Sequence, residues 1–93
     1  MVKDDRLLPE LFSTGEWRLL GENLGLSRRQ AEVARLLCRG HSKNGVAHAL
    51  RLSPHTVRMH VRELFIKLRI SDRIGVPIRL VLVGRELFQG GNS

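Results

Sequence analysis

Between Ser53 and Ile70 the chain places Val57, Val61, Leu64, Phe65 and Leu68 at positions i, i+4, i+7, i+8 and i+11. That spacing is one face of an α-helix and of nothing else in the repertoire of regular structure. Ser53 can cap it, because a serine hydroxyl accepts a free backbone N–H, and Pro54 suits the first helical position. A helix over 54–68 pinned down by this face must present the others, which carry His55, Arg58, Met59, Arg62, Lys67 and Arg69. Just before it, Ser42 can cap a shorter helix whose Val46, Ala47 and Leu50 turn inward, with Arg51 and Leu52 as the connecting turn. Two short helices joined this way, the second cationic on its free side, are what insertion into a DNA major groove requires. The plain alternative is a solvated basic surface.

Where the charge lies separates these. The net charge is +7 over 93 residues, and residues 27–73 hold eleven basic against three acidic side chains. Residues 1–26 hold three basic and five acidic. The excess sits in and around the helix pair, the footprint expected for a polyanion. A membrane surface is also a polyanion, but it would need the apolar stripe exposed, whereas here the core claims it. No apolar run reaches the roughly 18 residues of a transmembrane span, and the N-terminus lacks the apolar segment of a signal peptide. One cysteine, Cys38, excludes an internal disulfide and suits a reducing compartment. Its place at the end of an apolar pattern marks a small core residue. The expected location is the cytoplasm, at the nucleoid.

The rest of the chain divides around this centre. Residues 1–26 read as a lead-in and brace: Leu7, Leu8, Leu11 and Phe12 interrupted by Pro9, then a short helix from Ser13 or Thr14 to about Asn23. Glu16 supports Ser13 in capping-box spacing, Trp17, Leu20 and Leu24 share a face, and Gly25 stops the helix. Residues 27–88 form the main domain. Ser27 and Gln30 have the S-x-x-Q spacing, Leu26 precedes them as a staple residue, Val33, Leu36 and Leu37 face inward, and Gly40 follows as the stop. Gly45 inside the next helix costs about 1 kcal/mol relative to alanine and points to a close approach of backbone to a neighbour. Residues 89–93 are a loose tail.

The span LSRRQAEVARLLCRGHSKNGVAHALRLSPHTVRMHVRELFIKLRISDR resembles the LuxR-type (GerE- or FixJ-type) helix-turn-helix family of bacterial transcription regulators. The likeness rests on Leu26-Ser27, Glu32-Val33, Gly40-x-Ser42, Ala47, Leu50, Leu52-Ser53, Thr56-Val57-Arg58-x-His60, Lys67-Leu68 and Arg73, and covers about two-thirds of the chain. It implies an all-α fold, a four-helix LuxR-type helix-turn-helix domain here extended by one short N-terminal helix. It also implies a sequence-specific regulator whose third helix reads the major groove, commonly as a dimer. By position, His55, Arg58, Met59 and Arg62 would reach base edges, while Lys43, Asn44, Thr56 and Lys67 would approach phosphates. Val57, His60, Val61 and Leu64 fall at structural positions. The chain departs from the usual pattern at Gln30 and Gly45, where the family has glutamate, at Ile66, and at Pro77. The chemistry agrees with the carry-over. Arg58 and Arg62 lie one turn apart and can pair bidentately with guanine, Arg58 being the preferred base contact, and Met59 can touch a thymine methyl.

His41, His48 and His55 recur at intervals of seven, yet fall on a loop and two helices with no acidic cluster or CxxC, so no metal and no cofactor are expected. No Ser/His/Asp set, paired carboxylates or phosphate-cradling glycine loop is present, so no enzyme is expected. The rival readings are a protein-interaction module on the same fold and a sigma-region-four-like polymerase module. Double-stranded DNA is the expected partner, with RNA polymerase a further one. The 26 residues ahead of the main domain cannot hold a sensor domain, which favours a stand-alone regulator over an excised output domain.

The last helix is expected to start at Ser71 or Asp72 and to kink or restart near Pro77. Residues 78–83 (IRLVLV) would pass for a strand by composition, but nothing is available to pair with them. Val76, Leu80, Val83 and Leu87 make one stripe. Ile74, Ile78, Val81 and Leu82 make a second, about half a turn away. One small domain covers only one stripe. The expectation is that Val76, Leu80 and Val83 face the core while Ile78, Val81 and Leu82 meet a second copy. Otherwise the N-terminal segment folds over the second stripe and leaves a monomer.

Overall fold

The computed structural model describes residues 7–89, which form five helices: α1 (Thr14–Leu24), α2 (Arg28–Cys38), α3 (Lys43–Leu50), α4 (Pro54–Leu68) and α5 (Gly75–Gln89). Four of them start on a serine. The hydroxyls of Ser13, Ser27, Ser42 and Ser53 accept from the backbone N–H groups of Glu16, Gln30, Gly45 and Thr56 at 3.1, 3.0, 3.0 and 3.1 Å. Each cap stabilises its helix by about 1 kcal/mol. In α1 and α2 the box closes in return, Glu16 and Gln30 accepting from the backbone N–H of Ser13 and Ser27. Gly25 ends α1 in the left-handed region at φ 71°, and Gly40, at φ 101°, follows α2.

The core is the aliphatic set anticipated from periodicity. Val57, Val61, Leu64 and Leu68 of α4 pack with Val33, Ala34 and Leu37 of α2 and Val46 and Ala47 of α3. Phe65 and Leu50 only partly close over them. The helix α1 is part of the same core through Trp17 and Leu20. Phe12 meets Trp17 edge-on at 5.2 Å between ring centroids and Phe88 at 6.1 Å, while the Arg35 guanidinium stands 6.0 Å over the indole. The segment before α1 is tied to α2 by Leu8 N–H to Arg39 O, Arg39 Nε to Leu8 O, and Arg35 Nε to Glu10 Oε1.

The last helix neither starts at Ser71 or Asp72 nor breaks at Pro77: α5 is one helix that begins at Gly75. Gly75 and Val76 close turns onto Asp72 and Arg73, and Pro77 then falls in the first helical turn, where an N–H would have no intrahelical partner. Val76 and Leu80 are fully buried and Val83 is half-buried, whereas Leu87, placed by spacing on the same stripe, is exposed near the helix end. Arginines close two helix ends: Arg73 donates to the carbonyls of Leu37 and His41, and Arg79 to that of Leu68. The close approach at Gly45 is real, since an added Cβ would lie 3.2 Å from His41 Nδ1 and 3.3 Å from Ser42 Oγ.

Cys38 is buried with this core. Burial pushes its thiol up to about 12, opposed by Arg73 and helped by Glu10. A thiol whose folded value lies above its ordinary 9.0 favours the fold while protonated. That contribution is complete below the unfolded value and is lost as pH climbs toward the folded one. The thermal midpoint should therefore fall more steeply between pH 9 and 12 in the native protein than in Cys38→Ala. Alkylation should need unfolding. Prompt labelling of the folded protein would contradict this burial.

Candidate nucleic-acid interface

The residues of α4 that do not face the core make one continuous face. His55, Met59, Arg62 and Ile66 follow i, i+4, i+7 and i+11, with Arg58 alongside, and all five are exposed. Met59 and Ile66 keep 51% and 68% of their surface open, unusual for apolar side chains on a helix that buries four others. Ile66, a departure from the family pattern, thus belongs to the same face as the predicted base readers. Thr56 sits at the edge: its hydroxyl accepts from Ser53 Oγ at 2.9 Å, leaving its own hydrogen to donate. Lys43 and Asn44 open α3 and are exposed, and α3 packs directly on α4 across the turn at residues 51–53.

The arginines differ in what holds them. Arg28, Arg29, Arg35, Arg39, Arg73 and Arg79 are engaged with protein acceptors. No described residue accepts from the side chains of Arg58 or Arg62. Two guanidiniums one turn apart, exposed and without a counter-ion among the described residues, can fit planar acceptors such as a guanine edge or a phosphate.

Lys67 behaves differently from the other predicted phosphate contacts. Its ammonium donates to the Gly25 carbonyl at 2.7 Å and to Gln30 Oε1 at 2.8 Å. Gln30, buried, also accepts from Ser27 N–H and donates through Nε2 to Glu63 Oε1 at 2.7 Å. Lys67 therefore braces the last turn of α4 against the α1–α2 connection, with one N–H left over. The amide also gives Gln30 a physical reason to stand where glutamate is usual: it can donate to Glu63, which a carboxylate could not.

The histidines do not gather. Among the described residues no group of three or more His, Cys, Asp or Glu side chains could hold a metal. A groove of about 530 Å³ between α1 and α2, lined by Trp17, Gly21, Leu26 and Ala31, lies apart from the α4 face. Among the described residues no helix is long and apolar enough to cross a membrane.

Residues 24–78, more than half of the chain and all of α2, α3 and α4, match the luxR family of bacterial regulatory proteins. The chain belongs to that family. Its α3 and α4 form the helix-turn-helix of a luxR-family domain, and that family is one of DNA-binding transcription regulators. The chain is 32% identical over 75 residues to a protein named an HTH-type transcriptional regulator, YhjB of Escherichia coli, covering 75% of this chain and 38% of that protein. It is 38% identical over 59 residues to the transcriptional regulatory protein DegU of Brevibacillus brevis, covering 63% of this chain and 25% of that one. It thus spans well under half the length of these relatives. No solved structure gives a significant match. In a luxR-family domain the all-α architecture read from the sequence is the expected one, and all of α1 but Leu24 lies ahead of the matched span.

Proposed function

We propose that this domain reads a specific duplex site by laying α4 in the major groove, and that two copies do so on a two-fold related site. The observation that carries the reading is the α4 face itself: exposed His55, Arg58, Met59 and Arg62 opposite a packed stripe, with neither guanidinium held by an acceptor among the described residues. Arg58 and Arg62 contact guanine edges, and Met59 contacts a thymine methyl. Lys43, Asn44 and Thr56 hold phosphates, fixing register without adding sequence information. Lys67 contributes chiefly by holding the tilt of α4.

The second copy is supported by α5. Ile78, Val81 and Leu82 keep 56%, 39% and 48% of their surface. Among the described residues the segment before α1 leaves this stripe open, since Phe12 seats beside Gly84 and Phe88 instead.

Selection of bound sequences from random duplexes tests both parts. An enriched site with two inverted half-sites is expected, and an unenriched pool would reject groove reading. The salt dependence is a second check. With about six phosphates neutralised, log K should fall with log salt at a slope near −5. A slope near zero would show that the basic surface serves something other than a polyanion.

A further inference from the structure

Two arginines stand where a side chain is a burden. A residue with φ near +60° brings its Cβ against the following carbonyl, and the position just after a helix that requires this conformation is normally given to glycine. Both α3 and α4 end on arginine there: Arg51 has φ 57° and ψ 45°, Arg69 has φ 58° and ψ 49°. They are the two non-glycine residues with positive φ among the described residues. Both are exposed, and no described residue accepts from either guanidinium.

Their positions are related through α4. Arg51 lies in the turn that enters it and Arg69 directly follows its last residue. Fifteen helical residues span about 22 Å at about 1.5 Å each, against a major groove about 12 Å wide. A straight helix of that length, seated in the groove, carries its ends out toward the bordering phosphates. A guanidinium fits a phosphate with two parallel N–H donors, and a phosphate contact needs no particular base.

We propose that Arg51 and Arg69 are phosphate clamps, one at each end of the reading helix, retained in an unfavourable backbone conformation for what their side chains bind. The proposal rests on the reading that α4 enters DNA. The competing explanation is that a cation near the last carbonyls of a helix complements its dipole. The two explanations predict opposite effects on stability.

The test replaces each arginine by the residue its backbone favours. Arg51→Gly and Arg69→Gly should each raise the thermal midpoint, since glycine relieves the conformation. Each should also weaken binding to specific and random duplexes by the same factor, and make the log K against log salt slope shallower by about 0.9. Arg51→Lys and Arg69→Lys should keep the native slope. A protein made more stable yet poorer at holding DNA is the expected signature. Unchanged slopes in both glycine variants, with DNA binding intact, would overturn the clamps and leave groove reading standing. A lowered thermal midpoint would assign the arginines to the helix ends and overturn the clamps as well. If the native protein binds no duplex at all, it is the groove reading that fails.

Discussion

A Val81→Asp protein is expected to fold normally and to sediment as a monomer under conditions where the native chain pairs on a two-half-site duplex. Val81 sits on the open stripe of α5, so the carboxylate meets water in the single copy and an apolar partner surface only in the pair. Linking two half-site contacts through one interface raises avidity by about 10²–10⁴ through effective concentration. Losing the interface should cost most of that factor on a two-half-site duplex and little on a single half-site. Two results would reject the assignment. A native chain that stays monomeric on such a duplex removes the dimer. A Val81→Asp chain that unfolds would mean that the single copy itself needs this stripe covered, and would remove the assignment of Val81 to the interface between copies.

Arg58→Ala should lose about 1–3 kcal/mol at one base pair, or about 5- to 150-fold, and relax the preference there. On random duplex the loss should be small, limited to one charge. The difference between the two duplexes separates a base reader from a phosphate contact. Equal losses on both would reassign Arg58 to the backbone. Lys67→Ala offers the contrast: with its ammonium held by Gly25 and Gln30, that variant should lower the thermal midpoint along with binding on every sequence.

Much of this was legible in the sequence for local reasons. Serine hydroxyls reach backbone groups three residues on, so Ser13, Ser27, Ser42 and Ser53 announce their own helices, and the 3.6-residue repeat sorts Val57, Val61, Leu64 and Leu68 from His55, Met59 and Arg62. What periodicity does not carry is distance along the chain. The brace from Lys67 to Gly25 crosses 42 residues, and nothing near Lys67 hints at it. Pro77 misled because a proline reads as a break wherever it stands, while its effect depends on where the helix starts. Arg51 and Arg69 left no mark, since an arginine does not signal a left-handed backbone as glycine does. Leu7, Leu8, Leu11 and Phe12 suggested a flap over the second stripe of α5, but the three leucines stay exposed, Phe12 seats beside Gly84 and Phe88, and the segment is held by backbone pairing and the Glu10–Arg35 ion pair.

Gln30 closes the first turn of α2 and, with the same amide, grips Glu63 and Lys67 one turn apart on α4. Fraying at the start of one helix and loosening of the other are therefore a single opening event. Amide hydrogen exchange in the first turn of α2 and the last turn of α4 should occur at a shared rate, below that of a free helix end. Any ligand that holds the last turn of α4 would then slow exchange in the first turn of α2 as well.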